Sequence, residues 1–327
     1  NINVSGLANG TLTLSVTLTD ASGNEGAPVT DHVTKAANNP PVIMTSSGPA
    51  DFVESVDGPP VPVTLDAALT VTDPDNTTLT WATVTITGQL QSGEDILDFE
   101  NSSELDIAGS YDAGAGVLTL TSPGGTATLP EWQAVLRTVT YSNTSTTPST
   151  ATRTITFVVS DGMNNSAGAT KIVTITAVNN APIITNLHGD AVTFTENGPA
   201  VLLDVGGNAT VSDHDSPDFN GGNLTVSIIT NGVAGEDALA IRNEGMAAGQ
   251  IGVAGGDVYY GGIPIGLLSG GAGGADLIVT FLPPATAVAA QDLIRNLTYS
   301  NSNTTDPSPD PRTIRITLND GDGATSS

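Results

Sequence analysis

Apolar residues alternate with threonine and other polar residues along much of the chain. Leu12-Thr13-Leu14-Ser15-Val16-Thr17-Leu18, Val61-Pro62-Val63-Thr64-Leu65, Ala82-Thr83-Val84-Thr85-Ile86, Thr154-Ile155-Thr156-Phe157-Val158-Val159 and Lys171-Ile172-Val173-Thr174-Ile175 all carry a period of two. Successive side chains on a strand point to opposite faces, so the pattern predicts strands with one apolar and one wet face. Turn-forming clusters separate them: Ala21-Ser22-Gly23-Asn24, Asp73-Pro74-Asp75-Asn76, Asp112-Ala113-Gly114 and Ser122-Pro123-Gly124-Gly125. Two segments break the rule. Leu129, Trp132, Val135 and Leu136 have helical spacing after Pro130, which suits a first helical turn, and Ala289 to Ile294 is their counterpart. Strands in this number, with a short helix in each half, predict an all-β chain of tandem antiparallel β-sandwich domains arranged end to end.

The chain also repeats itself at a distance of about 140 residues or more. Asn38-Asn39-Pro40-Pro41 returns as Asn179-Asn180-Ala181-Pro182, Phe52-Val53-Glu54 as Phe194-Thr195-Glu196, and Val71-Thr72-Asp73-Pro74-Asp75 as Val211-Ser212-Asp213-His214-Asp215. Gly93-Glu94-Asp95 returns as Gly235-Glu236-Asp237, Thr140-Tyr141-Ser142-Asn143 as Thr298-Tyr299-Ser300-Asn301, and Arg153 through Asp161-Gly162 as Arg312 through Asp320-Gly321. The order is kept throughout, which is the mark of duplication. The second copy is lengthened by a Gly-rich stretch, 245–275, which reads as a β-hairpin or flap around Val258-Tyr259-Tyr260. Three segments follow: 1–37, two strands about the Ala21-Ser22-Gly23-Asn24 turn that look like the last strands of an immunoglobulin-like domain; 38–178, a first repeat; and 179–327, a second repeat without a final strand. Either the chain continues in both directions, or neighbouring copies complete one another by strand addition.

Charge narrows the function. The 327 residues hold 34 acidic against 8 basic side chains, a formal net charge of −26. Such a surface repels nucleic acid and anionic membranes, stays soluble, and offers many carboxylates to divalent cations. With no cysteine there is no disulfide, thiolate metal site or cysteine nucleophile. No run of 18 apolar residues is present. His32, His188 and His214 are scattered, and the adjacency of His214, Asp215 and Ser216 cannot make a catalytic relay. The paired carboxylates Glu94-Asp95 and Glu236-Asp237 recur in both repeats and read as turn residues, so the chain reads as no enzyme.

Taken together, the Asn-Asn-Ala-Pro linker, the early Glu, the Asp-x-Asp turn, the Tyr-Ser-Asn segment and the late Asp-Gly resemble the cadherin-like repeats of large calcium-dependent bacterial adhesins and matrix proteins, including those of RTX type. The resemblance covers 38–327; residues 1–37 resemble the tail of a bacterial immunoglobulin-like repeat. It implies calcium as cofactor. One ligand set would be Glu54, Asn179, Asn180, Asp213, Asp215 and Asp320; a second would be Asp73, Asp75 and Asp161 with Asn38 and Asn39; Glu196 would serve a further domain. Calcium takes six to eight oxygens, and two Asn where such linkers usually carry Asp lower the charge offered. The resemblance further implies a secreted or cell-surface structural and adhesive module, a stalk, spacer or filament unit. Its partners would be neighbouring repeats or other copies. The rival reading is a module that binds surface glycans or cell-surface proteins through Tyr259 and Tyr260.

Overall fold

The computed structural model describes residues 9–56, 58–100 and 106–326. They form two compact units. The first comprises the chain up to Val53 with Pro59–Thr144 and Ser149–Thr176; the second comprises Glu54–Gly58, Ser145–Pro148 and the chain from Ala177 on.

The first unit runs β1 (Gly10–Val16), β2 (Val29–Lys35), β3 (Val42–Met44), β4 (Ala50–Val53), β5 (Val63–Thr64), β6 (Thr70–Thr72), β7 (Trp81–Gly88), β8 (Asp95–Asp98), β9 (Ala108–Asp112), β10 (Val117–Thr121), α1 (Leu129–Arg137), β11 (Thr140–Asn143), β12 (Arg153–Ser160) and β13 (Ala169–Thr176). A six-stranded sheet, β4-β13-β12-β7-β10-β9, faces a three-stranded sheet, β5-β11-β8, across the core; β3 pairs with β6, and β1 with β2. The pairings are antiparallel except that of β4, which lies parallel to β13 with Ala50–Val53 beside Val173–Thr176. The predicted strand around Val61–Leu65 is only two residues long. Pro59, Pro60 and Pro62 have no N–H to give a ladder.

Helix α1 closes one end of the sandwich. Glu131 accepts the Thr128 N–H at 2.7 Å, capping the first turn, and Trp132, Val135 and Leu136 form the buried stripe. Trp132 has no exposure and donates its indole N–H to the Leu79 carbonyl at 3.0 Å. The Arg137 guanidinium reaches the Leu69 carbonyl.

The second unit repeats this plan through β14 (Ile183–Thr185), β15 (Val201–Leu202), β16 (Thr210–Ser212), β17 (Asn223–Thr230), β18 (Asp237–Ile241), β19 (Ile251–Ala254), β20 (Asp257–Tyr260), β21 (Ile263–Gly270), β22 (Leu277–Phe281), α2 (Ala287–Arg295), β23 (Leu297–Asn301), β24 (Thr313–Asn319) and β25 (Thr325–Ser326). Its large sheet is β19-β20-β21-β22-β17-β24-β25 and its small one β15-β23-β18. The Gly-rich stretch is therefore not a free flap. It supplies β19, β20 and β21 to the large sheet, and Ile251, Val258 and Ile265 are core residues. Tyr260 packs against that core, and the Tyr259 hydroxyl stands 3.3 Å from Asp257.

Glu94-Asp95 and Glu236-Asp237 also differ from the turn reading. Asp95 and Asp237 open strands and are fully buried. Asp95 Oδ1 accepts the Tyr141 hydroxyl at 2.5 Å and the Asn143 amide at 2.7 Å; Oδ2 accepts the Gln91 N–H and the Arg153 Nε–H at 2.9 Å. Arg153, also without exposure, gives Nη1 to the Ser149 and Ala151 carbonyls and Nη2 to Asp95 Oδ1 at 3.3 Å. Asp237 receives Tyr299, Asn301, Val233 N–H and Arg312 in the same pattern. Burial works to raise the Asp237 carboxyl, but these donors outweigh it and hold the group below its usual range. Burial and the hydrogen bond to Asp95 push the Tyr141 hydroxyl up.

Removing one partner of a buried, hydrogen-bonded pair leaves the other charge stranded. Arg153→Ala should cost the first unit about 3–5 kcal/mol, the range for such a loss. Both tryptophans, Trp81 and Trp132, lie in that unit, so urea unfolding followed by tryptophan emission reads the loss directly. An unchanged midpoint would contradict the assignment.

Candidate functional site

Several aspartates share one local device, in which a side-chain oxygen accepts backbone N–H groups two to four residues ahead. Asp73 Oδ1 takes the N–H of Asp75 and Asn76, and Asp213 Oδ1 that of Asp215 and Ser216, all at 3.0–3.1 Å. Asp161 Oδ1 takes Met163 and Asn164, Asp320 Oδ1 takes Asp322, Gly323 and Ala324, and Asp20 Oδ1 takes Ser22 and Asn24. This is the ordinary chemistry of Asp in turns. The glycine after Asp161 and Asp320 is needed for its backbone: φ is +97° at Gly162 and +94° at Gly321, and a Cβ on Gly321 would lie 2.2 Å from the Asn220 carbonyl oxygen.

With one oxygen of each carboxylate held by its own turn, the other is free for a partner. In the first unit the Asn38 amide donates to Asp161 Oδ2 at 2.7 Å, and Asn39 donates its N–H and its amide to Asp75 Oδ2. Asn76 donates to Asn38 Oδ1. Burial works to raise the Asp161 carboxyl, yet the N–H groups of Asn164 and Met163 and the Asn38 amide bring it below its usual range. In the second unit Asn179 donates to Asp320 Oδ2 at 2.7 Å and the Asn180 N–H to Asp215 Oδ2 at 3.0 Å. The Asn180 amide bonds Glu54 Oε1 and the Thr146 carbonyl, while the Val178 N–H holds Glu54 Oε2. Glu54, Asn180 and Asp320 are buried.

Most of the residues singled out in the sequence thus meet: Asp73, Asp75 and Asp161 around Asn38 and Asn39; Glu54, Asp215 and Asp320 around Asn179 and Asn180, with Asp213 beside Asp215. Glu196 does not join them; it is exposed and accepts from Asn197. Asn76, Ser216 and Asp322 belong to the clusters and were not singled out. Ser216 Oγ is 3.5 Å from both Asn179 Oδ1 and Asp322 Oδ2, and the repeat of Asp-Pro-Asp-Asn as Asp-His-Asp-Ser was the available sign. His214, between the two aspartates, is exposed.

Among the described residues three carboxylate oxygens are buried without a hydrogen-bond donor: Asp73 Oδ2, Asp213 Oδ2 and Asp215 Oδ1. Burial first, with the adjacent Asp215 carboxylate adding to it, raises the Asp213 carboxyl above its usual range, against the N–H groups of Ser216 and Asp215. Among the described residues no group of three or more His, Asp or Glu side chains is arranged to hold a metal ion. Neutral asparagine amides instead stand as donors to the carboxylates. The orphaned oxygens fit a cation, while the number of converging carboxylates is small, so further oxygens would have to come from asparagine, backbone carbonyls and water.

No protein-family profile matches the chain. Over 144 residues it is 38% identical to Halomucin of Haloquadratum walsbyi (strain DSM 16790 / HBSQ001), a match covering 43% of this chain and 2% of that protein. Among solved structures, the human desmocollin-1 ectodomain aligns over 97% of this chain and 45% of its own at 10% identity, with a TM-score of 0.26. The C-terminal domain of the antigen I/II polypeptide BspA of Streptococcus agalactiae aligns over 80% and 88% at 11% identity, with a TM-score of 0.23. At such scores the fold rests on the chain's own sheets. Among the described residues no helix is long and apolar enough to cross a membrane.

A carboxyl whose folded-state pKa is raised favours folding when protonated; that contribution is lost as pH rises through the folded value. At neutral pH without a bound cation, the Asp213 carboxylate therefore works against the fold. Asp213→Asn keeps the oxygen that Asp215 and Ser216 bond and places an amide donor where Oδ2 stood. It should raise the melting temperature in chelator at pH 7 by a few degrees, as about 1 kcal/mol does in a domain of this size. A drop measured by calorimetry would contradict the electrostatic account.

Proposed function

We propose that the chain is an extracellular structural module of a long repeat protein, a stalk or spacer that binds calcium at its aspartate turns and performs no catalysis. The observation that carries the reading is the acidic turn built twice, with Asp73, Asp75 and Asp161 in one unit and Asp213, Asp215 and Asp320 in the other, each turn leaving a buried carboxylate oxygen without a donor. A duplicated site suits a modular role better than catalysis. The match to Halomucin supports a long parent protein, since 144 residues are only 2% of it. An acidic, cysteine-free surface suits an exported protein.

Asp73, Asp75 and Asp161, with Asn38 Oδ1, would hold the ion of the first unit. Asp213, Asp215 and Asp320, with Glu54 and the Asn179 and Asn180 side-chain oxygens, would hold that of the second. Calcium brings charge neutralisation at the orphaned oxygens. The neutral linker asparagines weaken the sites, which places their affinity among extracellular modules, at dissociation constants of about 10⁻⁴–10⁻³ M.

Because a ligand bound only to the folded state stabilises it by mass action, saturating calcium should add about 2–3 kcal/mol near a hundredfold excess over its dissociation constant. Differential scanning calorimetry in chelator and in 10 mM-range calcium is the measurement. Equal transitions in both, together with no heat in calcium titration, would leave the aspartates as turn residues alone. In Asp73→Asn/Asp213→Asn the calcium-dependent gain should disappear.

A further inference from the structure

The aspartate turns of the two units are duplicates in backbone but not in the donors around them. In the first unit asparagine amides serve the acceptors. Asn39 gives Asp75 Oδ2 both its N–H, at 3.0 Å, and its amide, at 3.2 Å. Asn76 gives its amide to Asn38 Oδ1 at 2.7 Å and to Asp161 Oδ2 at 3.4 Å, and Asn164 gives its amide to the Asn38 carbonyl at 2.9 Å. Oxygens that a cation would use are in this way already bonded. Among the described residues of this unit only Asp73 Oδ2 is a buried side-chain oxygen without a donor.

At the matching positions the second unit loses donors and gains acceptors. Ser216 replaces Asn76; it is 6% exposed, and its hydroxyl stands 3.5 Å from Asn179 Oδ1 and from Asp322 Oδ2. Gly323, with no side chain, replaces Asn164, and Asp322 replaces Met163. Asn180, the counterpart of Asn39, keeps its N–H on Asp215 Oδ2 at 3.0 Å but turns its amide to Glu54 Oε1 at 3.2 Å and to the Thr146 carbonyl. Asp215 Oδ1 is left buried without a donor, as is Asp213 Oδ2. The frame is otherwise kept, since Asp161 and Asp320 each accept an asparagine amide on Oδ2 at 2.7 Å, from Asn38 and Asn179.

The second cluster thus gathers Asp213, Asp215, Asp320 and Asp322 where the first has Asp73, Asp75 and Asp161. Calcium affinity rises with the number of charged ligands. It falls when those ligands must first give up hydrogen bonds of their own. Both effects favour the same cluster.

We propose that the two turn clusters are unequal cation sites. That of the second unit, with Asp322 as an added ligand beside the Ser216 hydroxyl, fills first. That of the first unit, held together by asparagine amides, fills only at calcium concentrations at least about tenfold higher. This ranking rests on calcium binding at the turns, and it divides the duplicated module into one half whose order follows the calcium concentration and one half that keeps its turns without the ion.

Calcium titrated into the chelator-stripped full chain, followed by calorimetry and by amide exchange, tests it. Two phases should appear, with protection over 213–216 and 320–324 gained before that over 73–76 and 161–164. Asp322→Met should weaken the stronger phase by about tenfold and leave the weaker one in place. Met163→Asp should strengthen the weaker phase and bring the two together. Both positions are exposed, and a loss through misfolding cannot imitate the gain in Met163→Asp. A single phase with equal protection of both clusters, the first cluster protected before the second, or a stronger phase indifferent to Asp322→Met would overturn the ranking while calcium binding itself stood. No heat and no change in exchange at either cluster would remove calcium binding, and the ranking with it.

Discussion

A carboxylate and a guanidinium that have both left water anchor each sandwich. Asp95 and Arg153, like Asp237 and Arg312, lie where the small sheet meets the large one, and neither side chain of the first pair has any exposure. Charges at such depth are tolerable only when every lone pair and donor is used. Here Tyr141, Asn143 and the Gln91 N–H supply the carboxylate, and each guanidinium nitrogen finds an acceptor, in Asp95 or in the Ser149 and Ala151 carbonyls. The network fixes which residue of β11 stands opposite which residue of β8, and it ties the loop before β12 to the same point. An apolar core could slide by a residue pair and remain apolar; this one cannot, because a shifted carboxylate would lose its donors.

Around that anchor, the acidic composition is distributed unevenly in its consequences. Most of the carboxylates are solvated and cost little. Those of the Asp73, Asp161, Asp213 and Asp320 turns are different, since one oxygen of each is committed to shaping the backbone and the second is left for a partner. Asn38 and Asn179 satisfy two of these oxygens without adding charge. Asp73, Asp213 and Asp215 keep buried oxygens that no donor among the described residues satisfies, and this is the physical ground for expecting a cation there.

The hairpin β1–β2 repeats the local pattern of β12 and β13. Leu12, Leu14 and Val16 stand opposite Val33, Asp31 and Val29, the arrangement that β12 and β13 use to build core, and the Asp20 turn matches that of Asp161. Yet Leu14, Val16, Val29 and Val33 are about half exposed or more. The same pattern thus yields a buried sheet face or a bare one depending on what is packed against it.

Strand periodicity, the helices begun by Pro130 and around Ala289–Ile294, and the duplication were legible in the sequence because they are set by neighbours a few residues apart or by exact recurrence. The aspartate turns were legible too, since Asp-x-Asp and Asp-Gly carry their own backbone chemistry. What sequence could not supply was partnership at a distance. Asp95 beside Glu94 looks like any acidic turn until Arg153, far along the chain, is folded against it, and the Gly-rich stretch looks like a flap until β22 offers it an edge to pair with. Local spacing determines which face of a strand is apolar; only the tertiary structure decides whether that face, or a carboxylate on it, is covered, because burial and charge compensation are properties of the chains brought alongside and not of the segment itself.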